Sequence, residues 1–147
     1  GYIERQNRRD ADKLLRDTVA RRFEEQHKRA SQLQTELVSA GKIEFVDDME
    51  KATIKLQTFM DKISRAPRGY SGLFDAVKIN EKELEAIYQF DAAFFDLAEQ
   101  IGRALDNVEQ SLGDDAALPA AIRNLATLAR QAVEVYEKRD EVVTGSN

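Results

Sequence analysis

Apolar residues recur at steps of three and four along most of the chain, a spacing that puts them on one face of an α-helix. The first such segment covers about residues 3–40. Its apolar positions, with Gln26 filling one step, are Leu15, Val19, Phe23, Ala30, Leu33 and Leu37. Gly41 follows and ends the helix, because glycine adopts a positive φ at little cost. The pattern predicts a long first helix whose apolar stripe packs nearly parallel to its neighbours.

Three further segments show the same period. The second covers about residues 43–65 and ends before Pro67, which the interior of a helix does not tolerate. The third covers about 80–112. The fourth covers about 119–143 and opens with a proline, which suits the first turn of a helix. The sequence has no strand-like alternation of useful length, so these segments predict an all-α protein.

Four helices joined mostly by short turns predict a single domain at residues 1–143, followed by a disordered tail at 144–147. We expect an antiparallel four-helix bundle with long coiled-coil-like helices and one ordered inter-helix loop. At about 1.5 Å per residue, the first helix would measure about 57 Å and the second about 35 Å. The first helix should therefore extend past its neighbour and meet the fourth helix, a second copy of the protein, or solvent.

The segment between the second and third helices, residues 65–79, is too rich in apolar residues for a loose linker. We expect it to dock on one end of the bundle. Either this serves only packing and chain reversal, or the segment forms a recognition surface, because ordered loops on rigid scaffolds often bind partners. The candidate interaction residues there are Arg65, Arg68, Tyr70 and Phe74.

The start of the third helix has a capping box. Asn80 can accept backbone N–H bonds as the N-cap and Glu83 can reciprocate, while Ile79 and Leu84 occupy the flanking staple positions. These four residues predict a helix that starts at Asn80.

Asp91 occupies an apolar-stripe position of the third helix, where an unpaired carboxylate costs several kcal/mol or becomes protonated. We expect it to be a buried polar core residue. Its role is a structural hydrogen bond or ion pair that sets the helix register, or else contact with a ligand. The candidate partners are an Arg or Lys from a neighbouring helix, or a donor from the 65–79 segment.

Glu24 and His27 have the Glu-x-x-His spacing with which bundle helices bind di-iron or di-manganese centres. Such a site also needs a second Glu-x-x-His, and this chain has one histidine. Both residues lie away from the centre of the apolar stripe at about 100° per residue. We therefore expect a surface glutamate, a flanking histidine and no metal.

The composition excludes several kinds of chemistry. The chain has no cysteine, which removes disulfides, thiolate metal sites and cysteine nucleophiles together. The sequence contains no phosphate-binding loop, no nucleophile elbow and no cofactor motif. We expect no enzyme activity, no cofactor and no nucleic-acid partner. No apolar run of about 18 residues is present, so we expect no membrane span within the sequence.

Charge is unevenly distributed along the chain. Residues 1–30 contain nine basic and six acidic residues, a net charge of +3. The rest of the chain has a net charge of −8, which gives −5 for the whole sequence. Arg5, Arg8 and Arg9 lead this basic segment, which is either a solvated, salt-bridged helix face or a contact for an anionic partner. Because the sequence starts in helical register, we also expect a further segment upstream.

We interpret the chain as a non-enzymatic helical-bundle interaction protein, such as an adaptor, scaffold or assembly factor, that binds a protein partner or forms a homodimer. The alternative is the cytoplasmic domain of a membrane-anchored or peripheral-membrane protein, whose basic first helix contacts anionic lipid. A third reading is a bundle that binds a small molecule or metal near Asp91. The expected location is the cytoplasm, with or without membrane association.

Overall fold

A computed structural model describes the backbone of residues 2–65 and 81–144. Side chains are described at residues 17–63, 81–82, 85–86 and 88–141. The described residues form four helices: α1 (Tyr2–Ser39), α2 (Ile43–Arg65), α3 (Glu81–Gln110) and α4 (Leu118–Thr144). They contain no strand, which confirms the predicted all-α class for this part of the chain.

Each helix packs mainly against two others. α1 contacts α2 and α3, and α4 contacts the same two helices. The pairs α1 with α4 and α2 with α3 therefore lie on the diagonals of the arrangement. α1 has 38 residues and α2 has 23, so α1 is about 22 Å longer. The antiparallel directions and the coiled-coil packing stay predictions.

The core includes the apolar stripe predicted for α1 and residues at the same spacing on the other helices. The stripe residues of α1 that are buried are Val19, Phe23, Ala30, Leu33 and Leu37. Those of α2 are Met49, Ala52, Leu56, Phe59 and Ile63, and those of α4 are Ile122, Leu125, Ala129, Ala132, Val133 and Tyr136. Burial of a large aliphatic or aromatic side chain stabilises a fold by about 1.5–3 kcal/mol, so these stripes supply most of the driving force for packing.

One aromatic side chain from each helix joins a shared layer. The Phe23 and Phe59 ring centroids are 4.2 Å apart, and those of Phe59 and Phe94 are 5.3 Å apart. Tyr136 lies 6.4 Å from Phe59 and 6.5 Å from Phe94, centroid to centroid. The Phe59–Phe94 and Phe59–Tyr136 pairs are edge-to-face, a geometry that adds about 0.5–1.5 kcal/mol per pair beyond the buried area. The layer thus contains one ring from each of the four helices.

Gly41 ends α1 with a φ of 73°. The Lys42 N–H donates to the Leu37 carbonyl at 2.9 Å, and the Gly41 N–H donates to the Val38 carbonyl at 3.0 Å. These bonds form a Schellman motif, which satisfies helix-end carbonyls and reverses the chain within a few residues.

The turn between α3 and α4 is held by side chains. Asp114 Oδ1 accepts the backbone N–H groups of Ala116 and Ala117 at 3.0 and 3.2 Å. Lys42 Nζ donates to the Leu112 carbonyl and to Asp115 Oδ1, both at 2.6 Å. The α1–α2 and α3–α4 turns therefore lie together at one end of the molecule.

Candidate functional site

The interaction residues predicted from the sequence fall mostly outside the described side chains. Arg5, Arg8 and Arg9 have backbone in α1 and Arg65 is the last residue of α2, but their side chains are not described. The side chains of the other predicted loop residues, Arg68, Tyr70 and Phe74, are not described either. The same holds for the predicted cap of the third helix, Ile79, Asn80, Glu83 and Leu84. These interaction sites stay predictions.

Asp91 lies in the core of the protein and pairs with an arginine from another helix. Asp91 on α3 is 1% exposed, and Arg139 on α4 is 2% exposed. Arg139 Nε donates to Asp91 Oδ1 at 2.7 Å. Within the described part of the chain, Asp91 Oδ2 has no hydrogen-bond partner. The partner is thus an arginine from a neighbouring helix, one of the expected kinds.

The position of this pair follows from the helical period. Asp91 comes three residues before Phe94, and Arg139 comes three residues after Tyr136, so the pair lies about one turn from the aromatic layer. Removing one member of a buried ion pair leaves the other charge uncompensated in the core. The pair therefore joins α3 to α4 within the core.

Arg139 is not among the residues predicted from the sequence, although a signal for it exists. The last buried apolar residue of the α4 stripe is Tyr136. A further step of three residues reaches Arg139, a basic residue at a stripe position. An acidic residue in one stripe and a basic residue in another are a candidate buried pair, although a step of four from Tyr136 reaches Asp140, so the period alone does not select Arg139.

Glu24 is exposed and His27 is half-buried. The described residues hold no group of three or more His, Cys, Asp or Glu side chains arranged to hold a metal ion. None of the helix residues that the structure describes forms a stretch long and apolar enough to cross a membrane.

Polar contacts cross between α1 and α3 along one side of the molecule, which we call the α1–α3 face. The residues that make these contacts are Arg22, Gln26 and Arg29 on α1, and Phe95, Ala98, Glu99, Asp106 and Glu109 on α3. Arg22 pairs with Glu99 and lies 5.1 Å from the centroid of the Phe95 ring. Gln26 Nε2 donates to the Ala98 carbonyl.

Arg29 binds two carboxylates of the α1–α3 face at once. Its Nη2 lies 2.6 Å from Asp106 Oδ1 and 2.6 Å from Glu109 Oε2. The hydrogen bond to Glu109 is the main cause that raises the pKa of Arg29 above its ordinary value, against a smaller lowering by burial. The cations of this face are thus matched by acids of the same chain.

A groove between α1 and α2, which we call the apolar groove, has a volume of about 400 Å³. It is lined by Ser31, Gln34, Thr35, Val38, Glu50, Thr53 and Ile54. Val38 is 50% exposed and Ile54 is 54% exposed. Thr35 and Thr53 each donate their hydroxyl to the backbone carbonyl four residues earlier, at 3.1 and 3.0 Å. Both hydroxyl protons are therefore used within their own helices.

A second groove, the basic groove, lies between α2 and α4 and has a volume of about 290 Å³. It is lined by Asp48, Lys51, Lys55, Ile122, Arg123, Ala126, Thr127 and Arg130. Its lining includes four cations and one carboxylate. Lys55 and Arg123 have no carboxylate partner among the described residues. The groove therefore concentrates positive charge on a protein whose net charge is −5.

Comparison of the chain with protein-family models, with curated proteins and with solved structures finds no significant match.

Proposed function

We propose that this chain is a non-enzymatic helical-bundle interaction protein, an adaptor, scaffold or assembly factor, that takes a helix of a protein partner into the apolar groove. The observation that carries this proposal is the exposure of Val38 and Ile54 on the two helices that form the groove. Large apolar side chains that are grouped and exposed mark interaction surfaces more often than scattered ones do.

The chemistry of the groove fits a helix rather than a small polar ligand. Its two threonine hydroxyls donate internally, and Glu50 is its single charged lining residue. Ser31 and Gln34 add polar groups that can meet the polar edge of a partner helix. A partner helix that docks in a groove presents apolar anchors at steps of three and four and polar residues at the edges. Ile43, at the start of α2 and 65% exposed, adds a third exposed aliphatic residue to the helix pair.

We further propose that successive helices run in opposite directions, as in a long-helix bundle. α1 and α2 are joined by a tight turn at Gly41, and the pairing of Asp91 with Arg139 matches the start of α3 to the end of α4. In contrast, Arg22 on α1 pairs with Glu99 on α3, and Arg29 pairs with Asp106. Residue numbers therefore increase in the same direction along α1 and α3. This supports α1 and α3 as parallel neighbours, with the connection from α2 to α3 crossing a diagonal.

The test is a quantitative pull-down of the tagged chain from its native cells, with soluble and membrane fractions analysed separately by mass spectrometry. The double variant Val38→Ser/Ile54→Ser should lose the partner, because it removes both exposed anchors of the groove. Tyr88→Ser is the matched control, since Tyr88 on α3 is 44% exposed and lies outside the groove lining. All variants should keep the helical content of the wild type.

A stoichiometric partner that binds the wild type and Tyr88→Ser, but not the double variant, would support the proposal. Equal binding by the wild type, the double variant and Tyr88→Ser would show that the apolar groove is not the binding site. The same pull-down would then test the sites predicted from the sequence, with charge reversal of Arg5, Arg8 and Arg9 or truncation of Tyr70. A partner found only in the membrane fraction would favour the membrane-associated alternative.

A further inference from the structure

One stripe on the outer surface of α4 carries charges sorted by sign along the helix, with the exposed Lys138 beside its acidic half. Six exposed residues at steps of four and three form one stripe, which we call the α4 stripe: Arg123, Thr127, Arg130, Glu134, Glu137 and Glu141. Its first half is basic and forms a wall of the basic groove, while its second half is acidic. Such a sorted stripe is complementary to a reversed copy of itself.

These charges are weakly matched within the chain. Arg130 Nε is 3.7 Å from Glu134 Oε1, and Lys51 Nζ is 3.8 Å from Asp48 Oδ1, both beyond hydrogen-bond distance and between exposed side chains. Such pairs contribute little to stability. Within the described part of the chain, Glu137 and Glu141 have no ion pair. The α4 stripe is therefore available to a partner in a way that the α1–α3 face is not.

We propose that the partner is a second copy of this chain, whose α4 lies antiparallel to the first along the basic groove. Reversing the stripe about the point midway between Arg130 and Glu134 matches Arg123 with Glu141, Thr127 with Glu137, and Arg130 with Glu134. A two-fold axis at that point repeats each match, so the contact closes at two copies. This goes beyond the proposed function, which uses the other side of α2.

The opposite wall of the groove strengthens the match. Lys51 and Lys55 on α2 line the groove together with Arg123 and Arg130. The acidic half of the second copy's α4 would therefore lie between two rows of cations. An extended anionic surface fits less well, because the basic section spans only about two helical turns, roughly 10 Å, before the stripe turns acidic.

The test is sedimentation velocity of the untagged chain over a range of concentrations at low and at high salt. The wild type should dimerise at low salt and dissociate as salt rises, because contacts between exposed charges are screened. Arg123→Glu/Arg130→Glu should raise the dimer Kd at least about tenfold, since each lost match occurs twice across the two-fold axis. Glu134→Arg/Glu141→Arg should do the same.

A combined variant with all four reversals restores the complementarity with the opposite order of signs, at the net charge of the wild type. Its Kd should fall at least about threefold below that of either double reversal but stay above the wild-type value, because Lys51 and Lys55 then face the basic half of the second copy. The matched control is Arg21→Glu/Arg103→Glu, which reverses two exposed arginines outside the stripe and changes the net charge by the same amount as Arg123→Glu/Arg130→Glu. It should shift the Kd by less than about twofold.

Three results would overturn the proposal: a wild type that stays monomeric at low salt up to about 1 mM, a dimer indifferent to either double reversal, or a combined variant that does not recover. Recovery of the dimer in the combined variant would show that the double reversals act through lost charge matches and not through repulsion between more highly charged copies. Val38→Ser/Ile54→Ser should dimerise like the wild type. Loss of the partner helix by that variant and loss of the dimer by the stripe variants are therefore separate outcomes.

Discussion

The α1–α3 face and the basic groove both contain several cations, but these cations have different partners. On the α1–α3 face, Arg22 and Arg29 bind carboxylates of the neighbouring helix, and Arg29 binds two of them at 2.6 Å. In the basic groove, Lys55 and Arg123 have no carboxylate partner among the described residues. Both cations of the α1–α3 face are thus paired across helices, whereas two of the four cations of the basic groove have no carboxylate partner among the described residues.

This difference separates charges that hold the fold from charges that can serve binding. A cation paired across two helices links them, although an exposed pair contributes only about 0.2–1 kcal/mol. A cation in a groove without a carboxylate contributes little to the fold and attracts anions. Both sides also differ from the core, where the pair of Asp91 and Arg139 is shielded from water.

The largest effect should come from Asp91→Leu in the core. The change leaves the Arg139 guanidinium buried without its carboxylate, so the free energy of unfolding should fall by about 3–5 kcal/mol. Urea denaturation followed by far-UV circular dichroism measures this.

The control for that prediction is Asp91→Leu/Arg139→Leu, which removes both charges and should recover most of the loss. Unchanged or raised stability of Asp91→Leu, together with lost partner binding, would instead assign Asp91 to a functional contact.

A smaller effect is expected from Asp106→Asn/Glu109→Gln on the α1–α3 face. Neutralising both acids that bind Arg29 should lower the free energy of unfolding by about 1 kcal/mol at low salt, and by less at high salt. The bound carboxylates raise the pKa of Arg29 in the folded state. The contribution of Arg29 to the free energy of unfolding is therefore fully present below the pKa of arginine in the unfolded chain. It is lost only as pH rises through the higher pKa of Arg29 in the folded protein.

The loss on neutralising the two acids should accordingly be equal at neutral and mildly alkaline pH. Denaturation at two pH values and two salt concentrations measures this. A loss that grows with salt would contradict the ionic origin of the contact.

Gly102→Ala tests whether the α1–α3 face depends on close backbone approach rather than on polar side chains. A Cβ at Gly102 would lie 3.6 Å from Gln26 Nε2, an ordinary contact distance. Alanine is the better helix former in a helix interior, so the free energy of unfolding should rise by roughly 0.5–1 kcal/mol. Thermal and urea denaturation measure the change, and a clear loss of stability would show that the two helices need the glycine.

Much of the fold follows from the helical period. Steps of three and four identify the buried stripe of each helix, and Gly41 marks the end of α1 because its φ is positive. The same period places Asp91 in the stripe of α3, whereas its partner Arg139 is not among the residues predicted from the sequence. Local spacing is enough for the stripe residues because each is defined by its position on its own helix.

The grooves could not be predicted in this way. The sequence places Lys51 and Lys55 far from Arg123, and they share a groove only because α2 packs beside α4. Exposure of Val38 and Ile54 likewise depends on which helices lie next to α1 and α2. Helix adjacency is a tertiary property, so the candidate interaction residues predicted from the sequence are instead Arg5, Arg8, Arg9 and those of the 65–79 segment.

The most direct measurement is the free energy of unfolding of two double variants that each remove two cations, Arg22→Met/Arg29→Met and Lys51→Met/Lys55→Met. The first should lose about 1–2 kcal/mol, because both arginines pair across helices, and the second should stay within about 0.5 kcal/mol of the wild type. Equal losses, or a larger loss in the lysine variant, would contradict the division between cations that hold the fold and cations available to a partner.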